Sequence, residues 1–160
     1  MRRPLLATAL VLLSQQADAA RLDRGMPLPQ LSRPALDGKP IDLHALRGRV
    51  VLIDFWASWC APCLVAMPHL IALQRNYGQR GLQVVGISMD DSAAAAKAVA
   101  AQFAFNYPLI LGDAKLGAQF GGILGLPVEM LAGRDGKILK IWTGEVSPAE
   151  LERAIRAATG

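Results

Sequence analysis

The chain alternates short, densely apolar runs with longer stretches in which apolar residues recur every three or four positions. The densest run, Val50 to Phe55, is made of consecutive apolar and β-branched residues, the pattern of a central strand buried on both faces. Leu82 to Ser88 repeats it, and Pro108 to Leu111 is a shorter third strand. From Ala61 the period lengthens: Cys63, Met67, Leu70, Ile71 and Leu73 can share one face of a helix that ends at Tyr77-Gly78. Pro62 suits the first turn of that helix, whereas Pro68 removes a bond to the Leu64 carbonyl and is expected to kink the axis. Met89-Asp90-Asp91-Ser92 leads into an alanine-rich helix expected to run through about Phe105. Asp113 is placed to cap a further helix through Phe120, which Gly121-Gly122-Ile123-Leu124-Gly125 breaks before Leu126-Pro127.

Hairpin signals stand at both ends of this series. After an irregular lead-in over Arg21 to Arg33, Gln30 to Leu36 and Lys39 to Leu43 flank Asp37-Gly38, and His44-Ala45-Leu46 forms one helical turn stopped near Gly48. Val128 to Leu131 and Lys137 to Thr143 flank Arg134-Asp135-Gly136, and Ser147-Pro148-Ala149-Glu150 is a capping box that opens a last helix to about Ala158. Strands alternating with helices, then a hairpin and a final helix, predict a three-layer α/β fold. Its central sheet is mixed, because crossovers make parallel pairs and the hairpin adds an antiparallel edge.

Composition fits that picture. With 160 residues, 52% hydrophobic and 19% charged, the chain has room for one folded domain, expected over residues 20–160. Residues 1–19 read as an export signal: Met1-Arg2-Arg3 is a positive start, Pro4 to Leu13 is apolar, and Ala17-Asp18-Ala19 resembles a cleavage site. An uncleaved membrane anchor is the alternative; both put the domain outside the cytoplasm, in a periplasmic or similar compartment where disulfides persist. The net charge of +4 is spread without a basic run or interleaved aromatics, so nucleic acid is not an expected partner. A monomer is expected.

The chemistry concentrates at Trp59-Cys60-Ala61-Pro62-Cys63, which holds the only two cysteines and joins the first buried strand to its helix. Two thiols two residues apart at a strand-to-helix junction favour redox chemistry over scaffolding. Asp54 interrupts the buried strand six residues earlier. A carboxyl there is costly to ionise, so its pKa is expected to be raised, and it serves either as a local hydrogen-bonding group or as a participant at the site. Met67 reads as core and not as a soft metal ligand.

The segment Asp54-Phe55-Trp56-Ala57-Ser58-Trp59-Cys60-Ala61-Pro62-Cys63 resembles the thioredoxin active-site segment. Asp37-Gly38-Lys39, Leu46-Arg47-Gly48, Gly86-Ile87-Ser88-Met89-Asp90, Gly125-Leu126-Pro127 and Arg134-Asp135-Gly136-Lys137 narrow the likeness to TlpA/ResA-like extracytoplasmic thioredoxins, from about Met26 to the C-terminus. The resemblance implies a thioredoxin-like fold with an N-terminal extension and an inserted helix-strand region, and a cis bond between Leu126 and Pro127. It also implies a redox-active Cys60–Cys63 disulfide with no other cofactor, cysteine-containing client proteins such as apocytochrome c or copper-site proteins, and a membrane electron-donor protein. The family often carries glutamate at the place of Ala66, asparagine at the place of Asp54, and threonine before the cis proline with a Pro-Thr-Thr-Phe-like run, where this chain has Leu126 and Val128-Glu129-Met130.

Cys60, at the helix N-terminus, is the expected nucleophile, and Cys63 the resolving thiol. Asp54 is the expected carrier of the Cys63 proton. Trp59 and Pro62 beside the thiols, and Leu126-Pro127 opposite them, are the expected substrate contacts, with Leu126 offering backbone bonds to an extended client. No cation stands between the cysteines to stabilise a thiolate, which predicts a reductant. A copper- or metal-delivery protein could use the same thiolates but lacks the ligand count of a closed site. A peroxidase would want a hydroxyl where Ala57 stands.

Overall fold

The computed structural model describes residues 21–160; the export-signal expectation for residues 1–19 lies outside them. The strands are β1 (Ser32–Pro34), β2 (Pro40–Asp42), β3 (Val50–Trp56), β4 (Leu82–Ser88), β5 (Leu109–Leu111), β6 (Val128–Ala132) and β7 (Ile138–Thr143). The helices are α1 (Ala61–Tyr77), α2 (Ala93–Ala100), α3 (Ala114–Gln119) and α4 (Pro148–Thr159). β1 and β2 form the small hairpin across Asp37-Gly38.

The other five strands form one mixed sheet in the order β5-β4-β3-β6-β7. β3 lies parallel to β4, and β4 to β5, while β6 runs antiparallel to both β3 and β7. All seven residues of β3 are buried, as its unbroken apolar run requires. Successive side chains point to opposite faces. Val50, Leu52 and Trp56 therefore join Leu70 and Leu73 of α1, Ala96 and Val99 of α2, and Leu151 and Ile155 of α4 on one face. Val51, Ile53 and Phe55 meet Leu28, Leu31 and Leu43, with Leu116 of α3 and Phe120, on the other.

Sequence-encoded caps fix three helix starts: Ser92, Asp113 and Ser147 each accept a bond from the backbone N–H three residues on. α2 is shorter than the alanine run suggests, ending at Ala100. Phe103, Phe105 and Tyr107 account for this. They alternate with polar or small residues, and they stack at ring-centroid distances of 5.7 and 5.2 Å against the cluster under the sheet. A helix would scatter those rings around its axis, so tertiary packing overrides local propensity.

The turn from α1 into β4 depends on Gly81, whose φ of +98° lies in the left-handed region and whose missing Cβ would stand 2.7 Å from an Arg134 guanidinium nitrogen. That guanidinium donates to the carbonyls of Gly48 and Arg80, tying the final hairpin to the opposite end of the sheet from the cysteines. Gly81→Ala is expected to cost about 1–2 kcal/mol, read as a lowered urea midpoint at unchanged slope. An unchanged midpoint would show that this turn carries no such constraint.

Candidate active site

The loop between β3 and α1 is held from below by Asp90, which is 6% exposed. Its carboxylate accepts the Ser58 N–H at 3.1 Å on both oxygens, the Ser58 hydroxyl at 2.6 Å and the Ser88 hydroxyl at 2.7 Å. The Cys60 N–H then donates to the Ala57 carbonyl at 3.1 Å, and Cys60 becomes the N-cap residue of α1 with φ −89° and ψ 92°. No side chain caps this helix, and its first turn carries no acid. When the disulfide opens, the Cys60 sulfur stands beside the free N–H groups and positive dipole end, which favour its thiolate.

Cys60 and Cys63 are bonded, with Cα atoms 5.3 Å apart. Cys63, one turn further in, is 2% exposed against 5% for Cys60, so both sulfurs are nearly covered in this state. Trp59 beside them is 71% exposed. Pro62, at the helix start, is half-buried. The Leu126-Pro127 bond is cis, Pro127 is buried, and half-buried Leu126 packs against the cluster that contains both cysteines. The Pro127 carbonyl is taken by the Gly144 N–H at 2.9 Å. Of the sequence-predicted substrate contacts, Trp59 and Pro62 are chain neighbours of the cysteines, and Leu126, which precedes Pro127, packs against the cluster that holds both thiols. Among the described residues no group of three or more His, Cys, Asp or Glu side chains is placed to hold a metal ion, and no helix is long and apolar enough to cross a membrane.

Asp54 is 3% exposed on the sheet face that carries Leu52 and Trp56, the face that packs against Cys63 and Met67. Burial pushes its carboxyl well above the usual range, and the neighbouring Glu129 charge adds to the shift. Glu129 was not singled out by sequence reasoning. It lies directly opposite Asp54 in the β3–β6 register, is 2% exposed, and is pushed up to about 7 by desolvation. Among the described residues its Oε2 has no hydrogen-bond partner, and neither do the Tyr107 hydroxyl and the Trp56 indole N–H. Burial, then the Asp54 charge, raises the Tyr107 phenol. An acid inside the apolar run Val128-Glu129-Met130-Leu131 was the available signal, the same one that drew notice to Asp54. Asp90 was read as part of a helix lead-in and of a family motif, with no role assigned, because its partners Ser58 and Ser88 meet it only in the fold.

The sequence profile of the redoxin family matches residues 23–155. The thiol-disulfide oxidoreductase ResA of Bacillus thuringiensis strain Al Hakam is 28% identical over 143 residues, covering 89% of this chain and 83% of its own. A Chlorobium tepidum structure with the provisional name thiol:disulfide interchange protein DsbE is 32% identical with a TM-score of 0.81, covering 87% of this chain and 99% of its own. A second structure, a thioredoxin-family thiol:disulfide interchange protein from Chlorobium tepidum TLS, is 28% identical with a TM-score of 0.79, covering 86% of this chain and 99% of its own.

Because Asp54 binds its proton more tightly folded than unfolded, its contribution to stability is fully present below the unfolded value near 3.8 and is lost as pH rises toward the higher folded value. Asp54→Asn removes that loss. In urea unfolding of the oxidised protein, the stability of Asp54→Asn relative to wild type should climb as pH rises above about 4, by up to about 1.4 kcal/mol per pH unit. A difference independent of pH would show that Asp54 is not held protonated by burial.

Proposed function

This chain belongs to the redoxin family, as a thiol-disulfide oxidoreductase of the TlpA/ResA-like kind, and we propose that it works as a reductant of protein disulfides. The observation that carries this reading is the Cys60–Cys63 pair at a helix N-terminus, with buried carboxyls and, among the described residues, no buried Lys or Arg beneath it. A helix dipole favours the Cys60 thiolate. Nothing charged adds to that effect, and a thiolate left unstabilised is a good electron donor.

In the reaction, the Cys60 thiolate attacks one sulfur of a client disulfide. A Cys60–client bond forms, and the client's other sulfur leaves as a thiolate that takes a proton from water. Cys63 gives its proton to Asp54, whose carboxyl must be free of its own proton at that moment, and the Cys63 thiolate attacks the Cys60 sulfur. The Cys60–Cys63 bond forms, the second client sulfur leaves and is protonated, and two electrons have passed from the protein to the client. Exposed Trp59 and the Leu126 backbone flank the place where the client's chain would lie.

The apolar start with its Ala17-Asp18-Ala19 ending supports work outside the cytoplasm after cleavage of residues 1–19. There the oxidised pair would be recharged by a membrane electron-donor protein, and the clients would be proteins whose cysteines must stay reduced, those of cytochrome c or copper sites among them. A paired assay tests the direction. The reduced protein should reduce insulin disulfides at least about tenfold faster than the oxidised protein oxidises a dithiol peptide, Cys60→Ser should abolish both reactions, and Cys63→Ser should accumulate the mixed disulfide. Oxidation that keeps pace with reduction would overturn the reductant reading.

A further inference from the structure

One row of residues crosses the sheet beneath the cysteines: Gly86 on β4, Asp54 on β3, Glu129 on β6 and Trp142 on β7. Residues directly opposite in a ladder point to the same face, with Cβ atoms about 4.5–5.5 Å apart in an antiparallel pair. Leu52 and Trp56, two residues either side of Asp54, and Leu131, two beyond Glu129, all belong to the cluster that contains Cys60, Cys63 and Met67. Both acids therefore open toward the underside of the disulfide and not toward α3.

Two features keep a counter-ion out of this row. A side chain at Gly86 would start 2.7 Å from Leu109 Cδ2, 3.2 Å from Trp56 Nε1 and 3.4 Å from Tyr107 Cε2, so that flank of Asp54 is closed. On the other flank Trp142 pairs with Glu129, and its indole N–H donates outward to Glu150 of α4 at 2.8 Å, where Lys140 also bonds the same Glu150 oxygen at 2.6 Å. The buried cluster on this face includes Cys63 and Met67 from α1, Tyr107 from the segment before β5, which feels the Asp54 charge, Trp142 from β7, and Leu151 and Ile155 from α4, and no Lys or Arg is buried among the described residues. Two carboxylates facing each other in such a place strongly disfavour double ionisation, whereas full protonation would leave no acceptor for the thiol proton.

We propose that Asp54 and Glu129 act as one carboxyl pair holding a single exchangeable proton beneath the Cys60–Cys63 bond, with Glu129 as the positioning residue that takes this proton from Asp54 when Asp54 receives the one from Cys63. The inference rests on the reading of Asp54 as the Cys63 proton acceptor. Its balance is complete: the pair goes from one proton to two as the Cys63 thiolate forms, and returns to one when it releases a proton for the departing client thiolate. The raised values of both acids, each caused first by desolvation, agree with a shared proton.

The test follows resolution of the mixed disulfide. Reduced protein is mixed with glutathione disulfide, and closure of Cys63 onto Cys60 is timed by stopped-flow fluorescence from pH 5 to 9. Wild type is compared with Asp54→Asn, Glu129→Gln, Glu129→Leu and Glu129→Asp. Without a carboxyl at position 129, the pair's proton has no second site and an acceptor forms only when the desolvated Asp54 itself ionises, so Glu129→Gln and Glu129→Leu should both move the acid limb of the rate profile up by at least about one pH unit. Glu129→Asp should keep the limb near its wild-type place, and adding Glu129→Gln to Asp54→Asn should shift nothing further. The leucine variant suits the apolar surroundings, so the measurement survives if glutamine folds poorly there. A uniform loss of rate with an unmoved limb in both Glu129→Gln and Glu129→Leu would assign Glu129 a packing role only and overturn the pair, leaving Asp54 as sole acceptor. An Asp54→Asn profile identical to wild type would instead overturn the acceptor reading itself, and the pair with it.

Discussion

A strand buried on both faces has no water to satisfy its backbone or its side chains, and β3 is such a strand along its whole length. Its backbone is satisfied by β4 on one edge and β6 on the other. That constraint places the site: the C-terminal end of β3 must turn directly into α1, and the turn carries Cys60 to the helix N-terminus. Asp90 fastens the turn from β4's end by taking both Ser58 donors. The same burial makes Asp54, the one polar residue of β3, an expensive charge.

The electrostatics of the site follow from which charges the fold admits. On the helix side the dipole and open N–H groups favour a negative sulfur at Cys60. On the sheet side Asp54 and Glu129 bring acid groups, and Gly86 bars any side chain from standing across from Asp54 on β4. A negative charge on either acid opposes a thiolate above it, and on the proposed reading this favours a dithiol that readily gives up electrons. The exposed rim of Trp59 and the Leu126-Pro127 turn supply contact surface without adding charge.

Much of this was readable before the fold. The apolar run Val50 to Phe55, the three-to-four spacing from Cys63 to Leu73 and the caps at Ser92, Asp113 and Ser147 each belong to one segment and act locally. The C-x-x-C pair and Asp54 were legible for the same reason. α2 was misread because Phe103, Phe105 and Tyr107 leave the helix to reach a cluster that local propensity does not report. Glu129 stayed hidden because its meaning is a register: 75 residues separate it from Asp54, and only the antiparallel pairing of β6 with β3 sets them face to face. Its neighbours Val128, Met130 and Leu131 are ordinary core, so an acid among them carries no chemistry until that pairing is known. Ala66, half-buried on α1, shows the complementary case, an acid missing from the helix while the sheet holds two.

The central claim is that this uncompensated acidic setting makes Cys60–Cys63 a reducing couple. The midpoint potential of the pair, measured by equilibration with defined dithiothreitol or glutathione buffers at pH 7, tests it most directly. A value on the reducing side, toward about −270 mV, is the result the structure predicts. A value near the strongly oxidising end, about −120 mV, would contradict it, because a thiolate stabilised to that degree cannot stand over these carboxyls without a cation.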